Sequence, residues 1–305
     1  MNFNILSTLR GIFDAVMACM VLRMADTAYQ TQYRQEFIAG FEQHQSLLRE
    51  TVTTEAVIQG NTAVFMVADS GGASAVTRGV NGLIPARSDN LTQNSCSLSE
   101  WHDLVRKSGF NVFASQGNQR QIMQMTSMGV LNRKIDSQII TSLNTGTVTI
   151  GGTTTIPNVS LVANAMVKLQ NASVPWDSNI TLLCQPSFLA YLIQAPEFSK
   201  ATYVDVKPFA GNDANWRDKP QAYRWLNMLV ISHPNLPGKG TSSEHSFLYH
   251  KTSTGQAADK TGLKTPVGYN EEQDYSWARA SMFMGAVVLQ NSGIVVITHD
   301  GSAYA

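Results

Sequence analysis

Between Asn118 and Leu143 apolar residues return every three or four positions. Ile122, Met125, Gly129, Ile135, Ile139 and Leu143 fall on or near one stripe, and Gly146 closes the run. About 26 helical residues rising about 1.5 Å each make a rod of roughly 40 Å, about twice the average globular helix. Such a rod needs a flat or elongated body to lie along. The rest of the chain must therefore supply long surfaces for one stripe.

Upstream, residues 25–56 carry a helical stripe of Tyr29, Tyr33, Phe37, Phe41, Leu47 or Leu48 and Val52, with a Gln-rich opposite face. A lone helix of this kind is marginal in water and has to lie against something. Residues 57–98 then change character. Val57, Ile58 and Val64–Val67 favour strand, ADSGGASAVTRGVNG is a turn-rich tip, and Leu83 to Leu91 returns extended. The pattern predicts a long β-hairpin, and a two-stranded hairpin is marginal alone, with open edges that invite another chain. Phe37, Phe41, Arg78, Arg87 and Asp89 are the candidate inter-subunit contacts of these two arms. Residues 1–23 hold an amphipathic pattern (Leu6, Leu9, Phe13, Met20), and Met24 opens MADTAYQTQYRQEF like a natural start. They are read as a candidate upstream extension.

Downstream, Ser99–Ser108 reads as a short helix capped by Ser99, and TVTIGGTTTI (147–156) as a tight hairpin on Gly151-Gly152. An alternating block follows: helix 158–171, strand Ile180–Cys184, a helix begun by Pro186, a polar loop over 200–221, strands Asn227–Ser232 and Ser246–His250, and a small helix or turn over Ser253–Ala258. The end is β: Leu263–Tyr269, Trp277–Leu289 and Ile294–His299, with Asn291-Ser292-Gly293 turning between the last two. The class is α+β. The expected divisions are 1–56 (N-terminal arm), 57–98 (extended loop), 99–155 (long-helix domain), 156–258 (α/β domain) and 259–305 (closing strands).

Chemistry is sparse. There is no GxSxG elbow, HExxH, GxGxxG after a strand or Walker loop. Pro237-Gly238-Lys239-Gly240-Thr241 lacks the first glycine of a phosphate loop and the helix after it, so it reads as a turn. His245 and His250 lie five apart and would face opposite sides of a strand, which excludes joint chelation. Glu271, Glu272 and Asp274 form a solvated acidic turn, and Cys19, Cys96 and Cys184 have no CxxC partner and read as buried small hydrophobes. The NxS/T matches at Asn90, Asn158, Asn171 and Asn179 are of the kind chance supplies in so Asn- and Thr-rich a chain. No catalytic residue, cofactor or metal is expected.

Charge narrows the partners. The 22 basic residues balance 22 acidic ones, and 14% charged residues is well below the roughly 25% of ordinary soluble domains. A neutral, charge-poor surface is weakly protected against self-association and offers no global field for nucleic acid or lipid; no membrane partner is expected. One local pattern stands out. No acid lies between Asp103 and Asp136, where Arg106, Lys107, Arg120, Arg133 and Lys134 fall on or beside the long helix. They are either a solvated face or a sequence-independent phosphate contact repeated over many copies.

This order of elements resembles the major capsid proteins of tailed bacteriophages with the Hong Kong 97-like fold. GVNGLIPARSDNLTQNSCSLSEW (79–101) looks like the extended loop returning into the peripheral domain, and NQRQIMQMTSMGVLNRKIDSQIITSL (118–143) like the spine helix. ITLLCQPSFLAYLIQAPEFS (180–199) resembles the strand–helix unit of the axial domain. WLNMLVISHPNLP, HSFLYHKTSTGQAADK and YSWARASMFMGAVVLQNSGIVVI resemble the closing strands. The resemblance covers about residues 25–300. It implies a homo-oligomer of hexamers and pentamers in an icosahedral virion shell around double-stranded DNA, assembled in the bacterial host cytoplasm. Scaffolding, portal and cement or decoration proteins are the further partners it admits. An N-arm would lace under neighbours and the extended loop would lie over one. No residue match carries over the Lys–Asn crosslink that some relatives form.

Two other readings stand beside it. An encapsulin-like compartment of the same fold would hold a cargo enzyme and no genome. An α/β hydrolase centred on residues 156–254 would need Ser187, His233 and Asp205 to converge, and no motif joins them.

Overall fold

A computed structural model of the chain describes residues 45–304 apart from 55–56, 71, 80, 87–89, 110–118, 200–221 and 259–263. The N-terminal helix expected from residue 25 lies outside these residues up to 44. Over 45–54 the chain forms only a 3-10 turn, Arg49–Thr51, and a bridge from Thr53 to Gly255. The run Thr51-Val52-Thr53-Thr54 is β-branched and disfavours helix. Thr53 instead exchanges backbone bonds with Thr254 (3.0 Å) and Gln256 (2.8 Å). Leu48 and Val52, from the expected stripe, are buried.

The strands are β1 (Val57–Gln59), β2 (Thr62–Asp69), β3 (Asn90–Ser97), β4 (Ser99–Ser108), β5 (Val148–Gly151), β6 (Ile180–Cys184), β7 (Ala222–Trp225), β8 (Met228–Ser232), β9 (Glu244–His250), β10 (Thr254–Ala258), β11 (Val267–Asn270), β12 (Tyr275–Val288) and β13 (Ile294–His299). The helices are α1 (Gln119–Leu143), α2 (Val159–Asn171), α3 (Pro186–Gln194) and α4 (Pro196–Ser199).

A six-stranded sheet, ordered β5-β13-β9-β6-β8-β7, is the centre. Every residue of β6 is buried, as expected of a strand covered on both faces. The pleat sorts its neighbours. Leu182, Cys184, Val295 and Ile297 join one core with helices α2 and α3, which contribute Ala165, Leu169, Phe188 and Leu192. Leu183, Phe247, Tyr249, Ile294 and Val296 face the other way, into a core with Leu131, Ile135, Ile139 and Leu143 of α1 and Met282 and Met284 of β12. The long helix is thus wedged between this sheet and a second one, in which β12 pairs with β10, β11 and β4. Local signals agree: Asn158 accepts the Leu161 amide (2.7 Å) as the α2 cap, and Pro186 opens α3.

Several expectations are corrected. Ser99–Ser108 is strand, not helix, and runs antiparallel to β12 from Tyr275↔Ser108 to Met284↔Ser99. The 147–156 segment makes no hairpin, because β5 runs parallel to β13. Gly151, at φ 79°, turns the chain out beside Thr298, where a Cβ would collide with the Thr298 carbonyl oxygen. Residues 254–258 are strand β10 after a 3-10 turn, Lys251–Ser253. The hairpin returns on Asn90–Ser97, later than Leu83, and the first of the closing strands begins at Val267. The α1 stripe is also rotated. Met125 is 55% exposed, while Met123, Ser127 and Leu131 are buried.

Candidate assembly surfaces

The first surface is a three-stranded antiparallel sheet, β1-β2-β3. Its inner half is clamped to the body. Ala63, Phe65, Cys96 and Ala257 make a small core, and the Phe65 ring lies where a Cβ on Gly255 would come within 2.8 Å. Gly255 is what lets the two sheets approach so closely. The outer half projects. Met66 (73% exposed) and Leu91 lie on the strands, and Val76, Leu83 (74%) and Ile84 beyond them, all without cover in the single chain. Gly79 donates to the Leu83 carbonyl (3.0 Å) and Gly82, at φ 72°, donates to Gly79 (2.9 Å), which shapes the tip. Arg78 is exposed there. Phe37, Phe41, Arg87 and Asp89 lie outside the described residues.

The second surface is where the N-terminal segment enters the fold. Asp136, 1% exposed in the middle of α1, accepts from Ser46 Oγ (2.5 Å), the Leu47 amide (3.1 Å) and the Leu48 amide (3.3 Å). His233, equally buried, places Nε2 3.5 Å from the same carboxylate. A buried charge is tolerable when donors surround it, so this carboxylate ties the arm's root, the helix and the axial sheet together. Sequence reasoning missed it. The available signal was that Asp136 is the one acid of a 25-residue helix and sits beside stripe residue Ile135.

The basic group does not form one cluster. In the β4–β12 register Trp101 and Lys107 share the α1 side of the sheet, opposite Met282 and Ser276. Arg106, opposite Trp277, is on the far side, its guanidinium 5.1 Å from the Tyr275 ring centre. Lys134 Nζ sits 3.8 Å over the Trp101 ring. Arg133 is half-buried next to it, and Arg120 belongs to the first turn of α1.

This architecture can be compared with known proteins. The family model described as phage capsid protein matches residues 25–301. The chain belongs to the phage capsid protein family. Solved structures similar to it include one described as Mycobacterium phage Che8, 14% identical, covering 88% of this chain and 97% of that one at a TM-score of 0.66. The capsid of Ralstonia phage GP4 is 10% identical, over 90% and 95%, at 0.64. The capsid of a native GTA particle is 10% identical, over 90% and 98%, at 0.63. At such identities the likeness carries the fold, which is the Hong Kong 97-like fold of tailed-phage major capsid proteins. No curated protein matches in sequence.

In this capsid protein the residues that suggested hydrolysis are separated. Ser187 Oγ donates to the Glu244 carboxylate, and His233 faces Asp136; Asp205 lies outside the described residues. Glu244 also accepts the Gly240 amide (2.7 Å). The Pro237–Thr241 loop therefore turns an amide toward the chain's own carboxylate, where a phosphate loop would face its ligand. His245 bonds Asn144 (2.7 Å), while His250 bonds Asp177 (3.1 Å) on the other side of β9. Tyr269 donates to Asp274 in the acidic turn (2.5 Å). Cys96 and Cys184 are buried, and burial pushes the Cys184 thiol up to about 12, so it stays unreactive.

His299 makes the cluster acid-sensitive. Burial, helped by His245 and opposed by Asp300, holds it down at about 4. Nε2 bonds Ser246 Oγ (2.9 Å), and Nδ1 stands 3.6 Å from Glu244, whose oxygens are committed elsewhere. Between its ordinary value near 6.5 and about 4, the unfolded chain takes up a proton that the folded chain refuses. Stability from this site is complete above about pH 6.5 and drains away as pH falls toward 4. Melting temperatures across that range should decline in the wild type and decline less in His299→Gln. Equal slopes would remove His299 from the account.

Proposed function

We propose that this capsid protein assembles as hexamers and pentamers into a closed icosahedral shell around double-stranded DNA. The observation that carries the reading is the projecting β1-β2-β3 sheet. It leaves Leu83, Ile84 and Val76 exposed at its tip and ties only its inner half to the body. Apolar groups so placed gain by burial against a neighbour, and contacts that are modest singly become strong when each subunit makes several in a closed lattice. Membership of the capsid family and the capsid neighbours support the same reading. Electron microscopy of particles formed by the full-length chain tests it. Six- and five-fold capsomers are expected, whereas open sheets without five-fold vertices would contradict closure.

The genome contact is assigned to Arg120 and Arg133. Arg106 lies on the far side of the sheet and Lys134 is engaged with Trp101, while Lys107 shares the α1 side. The contact is a phosphate contact without base readout, so it should be sensitive to charge and salt. Arg120→Glu combined with Arg133→Glu should lower nuclease-protected DNA per particle while empty shells still form. Equal loss of both would take DNA out of the role.

A further inference from the structure

A groove of about 450 Å³ runs between α1, β4 and the turn after β8, lined by Trp101, His102, Arg133, Lys134, Ser137 and His233 among others. Lys134 and Ser137 also line a second hollow of about 550 Å³, which continues along α1 past Gln138 and Thr141 to Thr145 and Val288. The first groove is rich in donors. Trp101 Nε1 and His233 Nε2 are both buried and have no hydrogen-bond partner. His233 Nδ1 accepts the Asn235 amide (3.2 Å), so Nε2 carries the ring's hydrogen and is a donor without an acceptor in reach, Asp136 being 3.5 Å away. Buried donors of this kind call for an acceptor. With Lys134 and Arg133 beside them, the group that fits is an anion.

The described chain begins at this place. Ser46 and the Leu47 and Leu48 amides are bonded to Asp136, one turn or less from Lys134 and Ser137 on the same helix. The 44 residues before Gln45 lead out from here and carry Glu36 and Glu42, together with Phe37 and Phe41. Glu42 is four residues from Ser46, so its Cα lies within about 14 Å of that anchor. From Val130 to Thr145 the two hollows follow α1 for about 22 Å, a span that about seven extended residues cover. Half-exposed apolar groups at Val130, Ala286 and Val288 suit a segment that alternates carboxylates with aromatic rings.

We propose that this groove seats the segment immediately before residue 45 of the same chain, with an arm carboxylate, Glu42 being the nearest, among the donors of Trp101, His233 and Lys134. Seating there sets the direction in which the arm leaves the subunit. Rival occupants are a sister subunit's acidic side chain and a phosphate of the packaged DNA.

Zero-length carbodiimide crosslinking separates these. Unlabelled and isotope-labelled full-length chains are mixed without DNA before any assembly, crosslinked and digested, and the linked peptides are read by mass spectrometry. The seat predicts an amide between Lys134 and Glu42 or Glu36 in which both peptides carry the same label. Links found only between differently labelled peptides would give the groove to a sister subunit and overturn the proposal. Lys134 joined to no arm carboxylate, while other lysines of the chain do crosslink, would overturn it as well.

Discussion

Leu83→Asp together with Ile84→Asp leaves the subunit folded and abolishes shell formation. Both side chains stand mostly in solvent in the single chain, 74% and 65% exposed, so the subunit loses almost no packing. Surface changes of that kind usually move stability by no more than about 0.5 kcal/mol. In the proposed shell the same residues are covered by a neighbour. Burying each apolar side chain contributes about 1.5–3 kcal/mol, and burying an unpaired carboxylate in its place costs more than that. The deficit recurs at every subunit of a closed lattice, so the loss should be all-or-none. Sedimentation should show the variant as free subunits with a wild-type melting temperature. Normal shells from the double variant would mean that the tip touches nothing.

Asp136→Ala should produce the largest loss of subunit stability among single polar substitutions. It strands the Ser46 hydroxyl and the Leu47 and Leu48 amides, and leaves a hole beside Ile135 and Ile139. Buried donors left without an acceptor cost about 1–3 kcal/mol each, and structural relaxation returns part of that. A net loss on the order of 4 kcal/mol is expected from the urea midpoint of the unassembled chain. Asp136→Asn keeps one acceptor oxygen and should lose about half as much. A change in Asp136→Ala below about 1 kcal/mol would show that the arm's root is held by Leu48 and Val52 packing alone.

The parts legible in the sequence were those governed by local pattern. Strand Ile180–Cys184 and the helix at Pro186 announce themselves through an unbroken apolar run and a proline at the first turn, and Ile294–His299 through its β-branched run. Gln119–Leu143 is equally plain as a helix, although its buried stripe runs through Met123 rather than Met125. The misreadings share a cause, which is pairing with a distant partner. SEWHDLVRKS contains good helix formers, but its alternation of Trp101, Asp103, Val105 and Lys107 on one side matches the long β12 strand, and ten ladder positions outweigh propensity. TGQAA has no strand character of its own; β12 on one side and the Phe65 ring over Gly255 make it a strand.

The assembly surfaces were legible to different depths. An exposed, turn-rich tip on a long hairpin could be read from Gly79, Gly82 and the apolar pair beside them. Asp136 could not, because its importance depends on residues 46 and 233, which meet it only through the fold. The basic residues look like one group because they are near in sequence. The pleat of β4 then sends Arg106 and Lys107 to opposite sides.

The central claim is that residues 57–98 gain their full structure from sister subunits. Amide hydrogen exchange, followed over that stretch in free subunits and in closed shells, tests it most directly. In free subunits the amides of 62–65 and 95–97, held by the Phe65 core, should exchange slowly, and those of 66–69, 72–86 and 90–93 quickly. In shells the fast group should slow by about a hundredfold or more. Equally slow exchange of that group in free subunits would contradict the claim.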